Sequence, residues 1–85
     1  MKIFSTDSFQ LASYLLCESC RLVSVNKIDP RRVEFNFEET DKRVSLTEDF
    51  LGYKALVEPH RFFSSQKDLK QLIYQRENSA VKTGG

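Results

Sequence analysis

Cys17-Glu18-Ser19-Cys20 and the single histidine, His60, are the residues whose types and spacing best suit chemistry. A CxxC pair can ligate zinc or cycle between dithiol and disulfide. A structural zinc site takes four ligands. The chain has two cysteines and one histidine, so closing such a site would need carboxylates or a second chain. Redox cycling asks for the first thiol at a helix N-terminus, where the dipole stabilises thiolate. Here the pair ends a helix, where the dipole opposes thiolate. The helical wheel points Cys20 to the core and Cys17 to its edge, so plain packing is the expectation. His60 follows Pro59 and stands near Glu58, Ser64 and Ser65. Neighbours along one helix do not converge into a nucleophilic triad, so a surface histidine is expected. Glu38, Glu39, Asp41, Glu48 and Asp49 lack the alternation and mid-loop glycine of a calcium loop and read as a solvated stretch. No base, nucleophile or ligand set converges. The expectation is no enzyme, no cofactor and no metal.

Charge is more informative than any of these motifs. The chain carries 13 basic and 12 acidic residues, a formal net charge of +1. That balance gives no overall pull toward nucleic acid or anionic lipid. It is unevenly spread: residues 1–29 are neutral, 30–58 carry net −2 and 59–85 carry net +3. On a helix starting at Pro59, Phe63, Lys67, Lys70 and Tyr74 fall at i, i+4, i+7 and i+11 and form one stripe beside the core face. Lysines between aromatics suit phosphates and stacked bases. They suit better a helix edge where Phe63 and Tyr74 border the core and the lysine stems lie over it. Arg61 and Arg76 extend the stripe, and Arg31-Arg32 at a hairpin tip offer a second contact point.

These residues must be positioned by a small set of elements. Lys2–Ser5 reads as a strand. Asp7-Ser8-Phe9-Gln10 reads as a capping box with Asp7 as the cap. The helix it opens places Phe9, Ala12, Leu16 and Cys20 on one face, and Gln10, Tyr14 and Glu18 on the polar side. Leu22–Ile28 is β-branched and strand-like. Asp29-Pro30-Arg31-Arg32 is a turn. Val33, Phe35 and Phe37 then alternate with Glu34, Asn36 and Glu38, giving one buried and one wet face. Val44, Leu46, Phe50 and Leu51 form a short helix closed by Gly52 in the left-handed region. Tyr53–Val57 connects, with room for a short strand. Pro59 opens a helix with Phe62, Leu69 and Ile73 on its core face. Ser65-Gln66-Lys67-Asp68 offers an internal restart, which would turn Phe63 out of the stripe.

The element order is β-α-β-β-α-α. It implies an α+β fold, with helices on one face of a small, mostly antiparallel three-stranded sheet. With 85 residues there is room for one domain, expected over residues 1–76, followed by a flexible C-terminal tail over 77–85. Two cysteines are too few for a disulfide framework. No apolar run reaches signal-peptide or membrane-spanning length. A cytoplasmic protein without membrane contact is expected.

Thr6-Asp7 before a Leu-rich helix, the Val33-Glu34-Phe35-Asn36-Phe37 strand, and Ala55-Leu56-Val57-Glu58-Pro59 leading into Phe62-Phe63 and Leu69-Lys70 carry a family resemblance. Over about residues 4–74 the chain resembles a family of small bacterial and phage domains of unknown function. The resemblance implies this fold order and brings no activity. It also implies a glycine near the end of the first helix, where this chain has Ser19-Cys20.

The expected function is a non-enzymatic interaction module that binds a protein partner or its own copy. Its surface is expected on Phe63, Lys67, Lys70 and Tyr74 of the last helix, with Arg61 beside them and Arg31-Arg32 as a second point. The alternative is weak nucleic-acid binding through the same basic helix and hairpin tip.

Overall fold

A computed structural model describes residues 2–84 of the chain and the side chains of residues 2–75. The elements are β1 (Ile3–Thr6), α1 (Phe9–Cys17), β2 (Leu22–Asp29), β3 (Arg32–Glu38), α2 (Asp41–Leu51) and α3 (Pro59–Gly84). The order is the expected β-α-β-β-α-α. The sheet runs β1-β3-β2, and both strand pairs are antiparallel. β1 and β2 therefore lie parallel on either side of β3, linked by a crossover through α1. The backbone of α3 continues as helix to Gly84, through most of the expected tail 77–85, while the side chain of Arg76, the expected extension of the stripe, lies outside those described.

The alternation of β3 explains its central place. Phe35 and Phe37 turn inward between Phe4 and Thr6 of β1 and Leu22 and Val25 of β2. They pack with Leu11, Ala12 and Leu15 of α1, Cys20, and Leu69 of α3 in one core. The Phe9 ring meets Phe35 edge-on at 6.4 Å. The opposite face is not simply wet. Asn36 is buried there at 7% exposure. Its Oδ1 accepts from Ser5 Oγ of β1, and its Nδ2 donates to Ser24 Oγ of β2 at 3.0 Å. A side-chain amide can accept on one side and donate on the other. Asn36 thus ties all three strands at one register level.

The β2–β3 connection is tight. Asp29 and Arg32 pair, and Asp29 Oδ1 accepts from Arg31 N at 2.8 Å across Pro30. Irregularities in β2 fall between Leu22 and Ser24 and between Lys27 and Asp29. They leave Val23 and Ile28 exposed, and such bulges blunt an edge strand against further pairing.

Helix ends depart from expectation in instructive ways. Ser8, not Asp7, caps α1: its Oγ accepts from Leu11 N at 3.1 Å, while Asp7 pairs with Arg32 at 3.6 Å. Tyr14 is buried, not on the polar side, because α2 supplies a second packing surface and stacks Phe50 on its ring at 5.7 Å. Burial, with Glu18 and Asp49 adding to it, raises the Tyr14 phenol above its ordinary range. Cys20 lies beyond α1. Ser19 takes φ 68°, Ser19 N donates to Leu16 O at 3.0 Å and Cys20 N to Leu15 O at 2.9 Å. This is a Schellman close that folds Cys20 back onto Leu15. A glycine would take that φ without a Cβ penalty. Ser19→Gly is expected to stabilise the domain by roughly 0.5–1 kcal/mol. A rise in the urea midpoint at unchanged slope is the measurement that checks it.

α2 starts at the Thr40 cap, whose Oγ1 accepts from Arg43 N at 3.1 Å. Gly52 is not left-handed. Its φ is −87°, and the left-handed residue is Tyr53 at 60°, because Gly52 N still donates to Glu48 O and closes the last helical bond, which moves the reversal one position on. Tyr53 N donates to Phe50 O and Lys54 N to Asp49 O, a second Schellman close. A Cβ at position 52 would come within 3.2 Å of the Glu48 carbonyl oxygen. Residues 54–58 add no strand.

Candidate interaction surface

α3 runs through Ser65 without the restart, so its face assignments hold along the described length. Glu58 caps it: Oε2 accepts from Arg61 N at 2.8 Å, with Pro59 as the first helical residue. Leu69 is fully buried, and Phe62 and Ile73 are half-buried. Phe63, Lys67, Lys70 and Tyr74 stand beside this face, all exposed. Phe63 and Tyr74 show 63% and 66% of their surface. The two large aromatics share one helical stripe, about three turns apart, with the two lysines between them. Lys70 Nζ sits 5.9 Å from the Phe9 ring centroid, so its stem also borders the core.

The other sequence-selected cations do not join the stripe. Arg61 points to α1, where its Nη2 donates to the Cys17 carbonyl at 2.8 Å. That carbonyl would otherwise end α1 without a partner, and a guanidinium there also opposes the negative end of the dipole. Arg61 is therefore an α1–α3 tie rather than part of an open basic patch. Arg32 lies on the sheet, paired with Asp7. It lines a shallow polar cavity of about 310 Å³ with Ser5, Thr6, Asp7, Ile28 and Glu34. Arg31 is exposed at the hairpin tip.

Both thiols of the Cys17-Glu18-Ser19-Cys20 segment are packed inside the fold. Cys17 and Cys20 are both buried and unpaired. Burial pushes the Cys20 thiol up, with Lys42 and Arg43 partly opposing. His60 is exposed on the first turn of α3. Among the described residues no three His, Cys, Asp or Glu side chains gather to hold a metal ion. No helix among them is long and apolar enough to cross a membrane.

One surface escaped the sequence. The α2–α3 connector exposes Leu51, Tyr53 at 97% and Leu56 at 89%. The signal in the sequence is an apolar density without helical or strand period, directly after Gly52. A family model described as a domain of unknown function (DUF5659) matches residues 1–75. No curated protein and no solved structure matches the chain.

Proposed function

The chain belongs to the DUF5659 family of domains of unknown function, and we propose that it is a non-enzymatic interaction module that docks to protein through the exposed stripe of α3. The observation that carries this reading is the pair Phe63 and Tyr74, both mostly in water and bracketing Lys67 and Lys70. Exposed aromatics recur at protein interfaces because their rings exclude water at low entropy cost. Two unpaired cysteines fit a reducing compartment such as the cytoplasm.

Nucleic-acid binding is the second reading, favoured by the same lysine–aromatic alternation. It is the weaker one, since Arg61 is engaged with Cys17 O and Arg32 with Asp7. Both are thereby less available to phosphate, whose binding depends on counterion release by free cations.

The test is a photo-crosslinking residue placed at Lys67 in cells that make the protein. A protein adduct is expected from Lys67, none from a control position at Gln10, and none from Lys67 once Phe63→Ala and Tyr74→Ala are introduced with the fold retained. An adduct to nucleic acid alone would replace the protein reading with the second one. No adduct at all would remove α3 as the functional surface.

A further inference from the structure

We propose that the stripe of α3 receives the α2–α3 connector of a second copy of this chain. The inference rests on the reading of α3 as a protein-docking surface and names its occupant.

Tyr53 is the starting point. It holds a left-handed backbone, φ 60°, that a β-carbon disfavours and that glycine adopts freely. Its side chain, 97% exposed, gives nothing back to the fold. A strained residue whose ring faces only water points to work outside the domain. Leu51 and Leu56, within three residues on either side, are also largely exposed. The Schellman close at Phe50 and Asp49 fixes the backbone that presents this knob. A preset loop loses less entropy on docking.

Charge selects the occupant. Residues 48–58 contain Glu48, Asp49 and Glu58 against Lys54 alone. Glu58 is occupied in capping α3, so Glu48 and Asp49, both exposed on the last turn of α2, form the acidic rim of the knob. The α3 stripe offers the reverse: exposed rings flanking Lys67 and Lys70. An apolar knob with an acidic rim matches an aromatic stripe with a basic centre. Pairing two stripes with each other is disfavoured. The order Phe-Lys-Lys-Tyr is nearly palindromic, so a two-fold contact would press the lysines of one copy against those of the other. The contact is therefore between unlike surfaces, knob to stripe.

Sedimentation velocity over a concentration series tests this on the full chain. The wild type is expected to self-associate below about 1 mM. Reversing the rim (Glu48→Lys with Asp49→Lys) or the stripe (Lys67→Glu with Lys70→Glu) should each weaken association about tenfold, as loss of two exposed pairs implies. An equimolar mixture of the two reversed chains should bring back association less completely than wild type. All four reversals in one chain should restore it. Tyr53→Gly with Leu56→Ser should abolish association while the melting temperature holds or rises, because the glycine removes backbone strain. A wild type that stays monomeric over the whole range, or a fourfold reversal that fails to restore association, overturns the second copy as occupant. If the Lys67 crosslink to another protein persists in that case, the docking reading of α3 survives and only its partner changes.

Discussion

Phe37→Ala should destabilise the domain by about 3–5 kcal/mol, the range for emptying a fully buried phenylalanine site. Phe37 has no exposed surface and lies on the central strand between Phe4 and Leu22. Because β3 is flanked on both sides and covered by α1 and α3, no neighbour can collapse into the cavity without breaking a strand pairing. An 85-residue chain has roughly 4–13 kcal/mol of stability to lose. The variant should therefore be largely unfolded or melt far below wild type. Phe37→Leu, which keeps most of the volume, should cost well under half as much. Urea unfolding followed by far-UV circular dichroism measures both. Equal effects for the two variants would mean that the strand tolerates repacking and that Phe37 is not the keystone of the sheet.

Arg43→Ala should come next, at about 2–3 kcal/mol. Arg43 is buried at 8% exposure although charged. Its guanidinium stacks 3.7 Å above the Phe4 ring. Its Nε and Nη2 donate to the two carboxylate oxygens of Glu39 at 2.6 Å, and its Nη1 donates to Thr47 Oγ1 at 3.1 Å. The side chain thus fastens α2 to β1. Breaking a fully buried pair costs about 3–5 kcal/mol; Glu39 keeps access to water, which lowers the figure. Arg43→Met keeps the stem over Phe4 and should recover part of the loss. Arg43→Lys should recover less than its charge suggests, since an ammonium cannot make the bidentate fork.

The same pair gives a pH signature. The hydrogen bonds from Arg43 hold the Glu39 carboxyl below its ordinary 4.5. A carboxylate lowered by folding stabilises the native state above its unfolded value, and that contribution is lost as the pH falls through the lowered folded value. Stability should therefore drop on acidification below pH 4.5, and Glu39→Gln should flatten that limb. An unchanged acid limb in Glu39→Gln would assign the loss to other carboxylates.

The strands and helices were legible because their apolar residues repeat at two or near 3.6 along the chain, and this information is local. Val33, Phe35 and Phe37 announced β3 and its buried face, and Pro59 announced the start of α3. The sequence by itself therefore determined the element order, the α+β class and most of the core. Tertiary structure decided what depends on a second surface. Tyr14 and Asn36 looked wet on their own elements; α2 covers the first, and hydroxyls from two flanking strands satisfy the second. Arg61 looked free until α1 ended in front of it. Helix caps shifted by one residue, from Asp7 to Ser8 and from Gly52 to Tyr53, because capping follows where the last hydrogen bond closes rather than which residue best suits the role. Periodicity states which side of an element is apolar. Only packing states which polar groups find partners, and which apolar groups are left in water for a partner to cover.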